Sequence, residues 1–265
     1  MPKAEPITSA ANPLWKDVRR AIVRGSLTEE GCSVAESFHL LEEALRSGCE
    51  VKAVLAAESA RPAAEALMRG HSAIRLVALP DALFQRLAAT ETSQGAIALV
   101  KPPAWTMEQL FRGSPLVVVL DGVQDPGNAG AIVRAAEAFG ATGALFVKGS
   151  ASPHNPKTLR ASAGSLFRLP CLHGVDAAAA REALERNKLA LYAGVPTRSS
   201  RSIAAVDLTA RCALIVGNEA HGVSRELRAA AIEVFIPTVG VESLNAAMAA
   251  GIMLYEARRQ RSAYP

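Results

Sequence analysis

The run Leu116–Leu120, LVVVL, constrains this chain more than any other feature. Five consecutive apolar residues, three of them valine, suit a strand covered on both faces, and such strands belong to parallel sheets flanked by helices. A loop with glycines at 127 and 130 follows. Then comes AGAIVRAAEAF, Ala129–Phe139, whose spacing predicts a helix ending at Gly140. The alternation continues with strands expected over Ala144–Val147, Leu189–Ala193, Ala213–Val216 and Val234–Ile236. Helices are expected over Ala177–Asn187 and Ser243–Arg259. Strands and helices alternating at this pitch mean an α/β domain with a mostly parallel sheet.

Upstream, Ser33–Ser47 (SVAESFHLLEEALRS) has apolar residues at helical spacing and is stopped by Gly48. VKAVLAAE, IRLVALP and GAIALVK read as short buried strands, with helical stretches at Arg61–Arg69 and Asp81–Ala89 between them. This is a second, smaller α/β module. Between the two lies KPPAWTMEQLFRGSP, Lys101–Pro115, where paired prolines end one segment and Gly-Ser-Pro announces the next strand. The expected organisation is one domain over 1–103, a linker over 104–114 and a second domain over 115–265.

Half of the residues are hydrophobic and 20% are charged, which excludes the low-hydrophobicity, high-charge class of disordered chains. The apolar runs are far shorter than the ~20 residues of a membrane span. The opening MPKAEPITSAANPLW lacks the apolar centre of an export signal. A cytoplasmic protein without a membrane partner is the expectation. Cys32, Cys49, Cys171 and Cys212 form no CxxC pair and none lies near a histidine at ligand spacing, so no metal site is expected. The net charge of +4 resides in the C-terminal part. Residues 1–112 hold 13 basic and 13 acidic groups, whereas 113–265 hold 16 and 12. His154, Lys157, Arg160 and Arg168 lie in a stretch with no acid from Leu145 through His173. Such a stretch suits either a solvated face or a nucleic-acid contact.

Glycines and polar residues gather after three of the expected strands, where open α/β sheets bind ligands. The first loop, DGVQDPGNAG, brings Asn128 to a helix entrance and is followed by Arg134. The neighbours of Arg134 are all apolar or small, and a charge in such a context calls for an anionic partner. The second, LIVGNEAHGVSREL, brackets Asn218, Glu219 and His221 between Gly217 and Gly222. The same residues also suit a plain turn before a helix capped by Ser224. The third, IPTVGVESLNAAMAAGIMLYE, places Ser243 and Asn245 before a helix of small residues that allows close approach of another element. No GxGxxG is present, which argues against a nicotinamide-dependent oxidoreductase.

NxGxxxR from Asn128, GNExxG from Gly217 and IPTVGVESLN from Ile236, in this order, resemble the three signature motifs of the SpoU (TrmH-like) RNA 2′-O-ribose methyltransferases of the SPOUT class. SVAESFHLLEEALRSG and SQGAIALV also look like parts of that family's small substrate-binding domain. The resemblance implies an α/β fold whose C-terminal SPOUT-type parallel sheet is tied in a deep trefoil knot. It implies S-adenosylmethionine as cofactor, held by Thr197, Val216, Gly217, Ile236 and Leu244. Asn128, Arg134, Glu219, Ser243 and Asn245 match the catalytic positions. Arg134, whose guanidinium does not ordinarily lose a proton, is expected to hold the RNA phosphate rather than act as a base. The implied partners are RNA, ribosomal before transfer RNA, and a second copy of the chain. Affinity for RNA is expected from a basic surface around Lys157, Arg160, Arg168 and Arg198 and from the N-terminal domain. A non-catalytic RNA-binding or ribosome-assembly protein on the same scaffold is the competing reading. The retained Asn128, Arg134, Glu219 and Asn245 speak against it.

Overall fold

The computed structural model describes residues 4–90, 92–197 and 200–262. The chain forms two compact units, one built from the residues up to Ala104 together with His154–Arg168, the other from Trp105–Pro153 and the residues from Leu169 on.

The first unit carries a five-stranded sheet in the order β1-β4-β3-β5-β2. Its strands are β1 (Glu5–Pro6), β2 (Ser33–Glu36), β3 (Val51–Ala57), β4 (Arg75–Leu79) and β5 (Ala96–Val100). β1, β3 and β4 run parallel, while β5 is antiparallel to both β3 and β2. Helix α1 (Pro13–Arg24) begins at an Asn-Pro pair. The Asn12 side chain accepts from the Leu14 and Trp15 amides, Pro13 needs no donor there, and Gly25 ends the helix at φ 61°. Its Trp15, Val18 and Ala21 enter the core beside Val34, Leu55, Val77 and Ile97. Ser33–Ser47 is not one helix. Ser33–Glu36 pairs with β5 as a buried strand, and Ser37, accepting from the Leu40 amide, caps α2 (Phe38–Arg46). Glu36 is buried yet satisfied, since its carboxylate accepts from the Ala89 amide at 2.9 Å and the Thr90 hydroxyl at 2.7 Å. Two further helices, α3 (Arg61–Leu67) and α4 (Asp81–Gln85), follow β3 and β4.

In the second unit α5 (Met107–Leu110) precedes β6 (Leu116–Asp121), α6 (Pro126–Ala138) and β7 (Gly143–Val147). The next helix, α7 (Pro156–Ala161), belongs to the first unit, where its N-terminal flank meets β2 through a 3.3 Å contact of His154 Nδ1 with Ser33 Oγ. Asn155 packs on Gly25, and Gly164 lies so close to Glu43 that a Cβ there would come within 2.7 Å of its Cβ. This differs from the expectation of an uninterrupted domain over 115–265, because residues 154–168 pair with groups more than a hundred positions away that spacing alone does not reveal.

The second unit continues with β8 (Cys171–Val175), α8 (Ala177–Arg186), β9 (Ala190–Gly194), β10 (Arg201–Ser202), β11 (Cys212–Gly217), α9 (Arg225–Arg228), β12 (Ile232–Phe235) and α10 (Ala246–Arg261). Its seven strands lie in the order β10-β12-β9-β11-β6-β7-β8, and every neighbouring pair is parallel. LVVVL, in β6 beside the central strand β11, is fully buried, as a doubly covered strand should be.

Arg261 fastens the last helix. Its guanidinium donates to the carbonyls of Leu208 (2.7 Å), Ser114 (3.0 Å), Pro115 (3.2 Å) and Ala210. Arg261→Ala leaves these carbonyls without their shared charged donor and is expected to cost about 2–3 kcal/mol. Lysine in its place is expected to recover less than half, because a point charge cannot reach all four. Chemical denaturation of the two variants checks both statements.

Candidate active site

β6 and β11 are neighbours, and the sheet extends from them in opposite directions through β7 and through β9. The loops leaving their carboxyl ends therefore diverge and open a crevice, the place where ligands bind in open parallel sheets. The β11 loop is tied down tightly. Asn218 Nδ2 donates to the Gly122 carbonyl at 2.8 Å, and its Oδ1 accepts from the amides of Ala220 (2.9 Å) and His221 (3.0 Å). The Ser224 amide donates to the buried Asp121 carboxylate at 2.6 Å. Asn218 and Gly222 exchange both backbone hydrogen bonds. This fold-back brings Gly222 against Gly217 so closely that a Cβ on Gly217 would stand 2.2 Å from the Gly222 carbonyl carbon. Only glycine fits.

Glu219, at the tip of this loop, is joined to the other two loops by one line of hydrogen bonds. Asn245 caps α10, its Oδ1 accepting from the amides of Ala247 (2.9 Å) and Met248 (3.2 Å). Asn245 Nδ2 donates to Asn128 Oδ1 at 2.9 Å, and Asn128 Nδ2 donates to Glu219 Oε1 at 2.9 Å. Asn128 is itself set by its backbone amide, which donates to the N-cap Asp125 at 2.7 Å. The closing helix thus starts at Ala246, not at Ser243 as its sequence pattern suggests. Asn245 takes the cap, and Ser243 and Leu244 remain in the loop.

Beside this line lies a cleft of about 610 Å³, within the usual range of ligand pockets. All five residues expected to hold a cofactor line it: Thr197, Val216, Gly217, Ile236 and Leu244. So do Glu219, Ser243 and Asn245, while Asn128 meets the cleft through its two partners and Arg134 does not line it. Gly194 and Met253 form its floor, where a Cβ on Gly194 would crowd Met253 Sδ at 3.1 Å. Apolar walls from Val216, Ile236 and Leu244, bare backbone at Gly194 and Gly217, and hydroxyls from Thr197 and Ser243 form the kind of lining that a nucleoside with a short polar tail requires. On the rim, the Arg228 guanidinium, 2.5 Å from Glu233, holds that carboxyl below its usual range.

Arg134 stands differently from its sequence context. Its side chain is exposed on α6, while Ile132, Val133 and Ala136 are buried, because successive residues of a helix face directions about 100° apart. It does not sit in an apolar environment. The basic run is also only partly free. Arg168 is bound to the Glu43 carboxylate and the Ser47 hydroxyl, and Arg160 is half-buried with Nη1 enclosed. Lys157 is exposed, and Arg198 lies outside the described residues. Among the described residues no group of three or more His, Cys, Asp or Glu side chains is arranged to hold a metal ion. Sequence reading did not single out Asp121, the carboxylate under the β11 loop. Its signal was an acid closing an otherwise apolar strand.

Residues 115–255 match the SpoU rRNA Methylase family, and residues 12–98 match the MRM3-like substrate binding domain. The chain is 33% identical to an uncharacterized tRNA/rRNA methyltransferase of Synechocystis sp., over 96% of this chain and 94% of that one. It is 32% identical to the 23S rRNA (guanosine(2553)-2′-O)-methyltransferase RlmP of Bacillus subtilis, over 95% of this chain and 98% of that protein. In three dimensions it superposes on the SpoU methyltransferase AviRb from Streptomyces viridochromogenes in complex with AdoMet. The TM-score is 0.83 at 27% identity, covering 94% of this chain and 98% of the other.

Proposed function

This chain belongs to the SpoU rRNA methylase family, and on that footing we propose that it transfers a methyl group from S-adenosylmethionine to a ribose 2′-hydroxyl of ribosomal RNA. The observation that carries the reading is the glycine-floored cleft with the Asn245–Asn128–Glu219 line along its edge. The residues present fit the cofactor: Gly217 admits no side chain where the backbone must approach, and the apolar walls suit an adenine face. When bound there, S-adenosylmethionine supplies a methyl group already activated on a sulfonium. The chain's own task is to bring the ribose oxygen within ~3 Å of that methyl and to manage its proton. Asn128, Glu219 and Asn245 orient groups at the cleft edge, and Ser243 adds a hydroxyl. Arg134, exposed on α6, holds the phosphate next to the reacting ribose as a two-pronged donor. A non-catalytic scaffold would have no need to keep this polar line intact.

The remaining parts of the reading follow from the family. The N-terminal unit binds the RNA, with Lys157 as one exposed charge of the inserted segment. The second unit is threaded as a trefoil knot, and the enzyme acts in the cytoplasm as a homodimer. Met248 and Tyr255, 58% and 55% exposed and two helical turns apart on α10, support a subunit seam on that helix.

Methyl transfer from labelled S-adenosylmethionine to unmodified ribosomal and transfer RNA, with nucleoside analysis, tests the reaction. Wild type is expected to yield a 2′-O-methylated nucleoside from ribosomal RNA. Arg134→Ala is expected to lower the rate by about 10²–10³-fold, the scale of one lost charge-stabilising group, with cofactor affinity unchanged. Transfer to a base atom, or no transfer to RNA or ribosomal particles, would overturn the reading.

A further inference from the structure

We propose that Glu219 is the proton acceptor for the ribose 2′-hydroxyl. The assignment rests on the methyl-transfer reading above and adds the step it left open. It comes from the polarity of the hydrogen-bond line. The first amides of α10 can only donate, so Asn245 must turn Oδ1 towards Ala247 and Met248 and Nδ2 towards Asn128. Asn128 must then offer Oδ1 to Asn245 and Nδ2 to Glu219. No flip of either amide satisfies its neighbours. The helix end thereby dictates, through two asparagines, that Glu219 Oε1 is an acceptor held in place.

Among the described residues Oε2 has no hydrogen-bond partner, and Glu219 lines the cleft. It is the one carboxylate in the line, and its fixed oxygen restricts where the free one can lie. Asn128 and Asn245 have no proton-accepting capacity at neutral pH, and Arg134 has none. His221 and Glu242 also line the cleft, but the line of hydrogen bonds from α10 ends on Glu219 and on neither of them. In the step, a lone pair of the 2′-oxygen forms the new C–O bond while the C–S bond breaks. The electron pair of that bond passes to sulfur and neutralises its charge. The hydroxyl proton passes to Glu219 Oε2 and from there to water.

Glu219→Gln keeps an oxygen for Asn128 and removes the acceptor. Its single-turnover rate is expected to fall by about 10²–10⁴-fold, with S-adenosylmethionine affinity within about twofold of wild type. A second readout needs no turnover. Equilibrium binding is compared for a ribosomal RNA fragment and for the same fragment 2′-deoxy at the nucleotide that wild type methylates. Loss of the hydroxyl is expected to weaken binding to wild type about tenfold and to leave binding to Glu219→Ala unchanged. A Glu219→Gln rate within about threefold of wild type, or a 2′-deoxy penalty that survives in Glu219→Ala, overturns the assignment. If wild type itself methylates no ribose, the reaction is misassigned, which is a separate failure.

Discussion

Gly217→Ala is expected to abolish S-adenosylmethionine binding while both units stay folded. The added Cβ would stand 2.2 Å from the Gly222 carbonyl carbon, 2.3 Å from the Val223 nitrogen and 2.5 Å from the Gly222 oxygen. All three are backbone atoms, so no side chain can swing aside to make room. The conflict is relieved only by opening the fold-back, which breaks the paired Asn218–Gly222 hydrogen bonds of 3.0 and 2.9 Å. Opening moves Val216 and Gly217 on the cleft wall and Glu219 at its edge together. The damage stops there, because β11 is paired on both sides from Cys212 onward and its side chains are buried up to Val216. Calorimetric titration is expected to show cofactor affinity lowered by more than about 100-fold, and the loop strain is expected to cost about 2–4 kcal/mol. Far-UV circular dichroism should match wild type. Unimpaired cofactor binding would mean that the cleft beside Gly217 is not the cofactor site.

Five of the second unit's seven strands were legible because burial on both faces leaves a short apolar run, whereas the edge strands β8 and β10, neither of them buried, leave no such run and went unread. The start of α10 was less so. Ser243 and Asn245 are both capping residue types, and only the bonds to Ala247 and Met248 decide for Asn245. Ser33–Glu36 has apolar residues at helical spacing, but its pairing with β5 lies more than sixty residues along the chain, beyond any local pattern. Helix α1 went unread although Asn12-Pro13 is a standard helix start, and Gly25 a standard stop. Arg168 looked free because Glu43, which binds it, lies 125 residues earlier. The motif residues of the site were visible as a set. What no spacing could supply is that Asn128, Glu219 and Asn245, from three separate loops, touch in one line and in one direction.

That direction can be tested apart from the fold. Asn245→Asp is expected to cut methyl transfer by about 100-fold or more while leaving the melting temperature unchanged or slightly raised. Aspartate caps a helix as well as asparagine, and its charge is favoured at the positive end of α10, so the bonds to Ala247 and Met248 persist. The carboxylate has no proton to donate, however, and would face Asn128 Oδ1 across 2.9 Å as acceptor against acceptor. If the Asn128 amide turns over to satisfy the new carboxylate, it presents Oδ1 to Glu219 and the same conflict moves one residue along. Either way Glu219 loses the donor that fixes it, although every backbone element keeps its cap. Adding Glu219→Gln to Asn245→Asp then discriminates position from chemistry. The glutamine amide can donate to the turned Asn128, so the line closes again with its polarity reversed, yet no proton acceptor remains. Thermal melts paired with single-turnover rates read both effects, and the double variant is expected to be stable and inactive. Restored activity in the double variant would reduce Glu219 to a positioning residue. An Asn245→Asp rate equal to wild type would show that the direction of the line is immaterial to transfer.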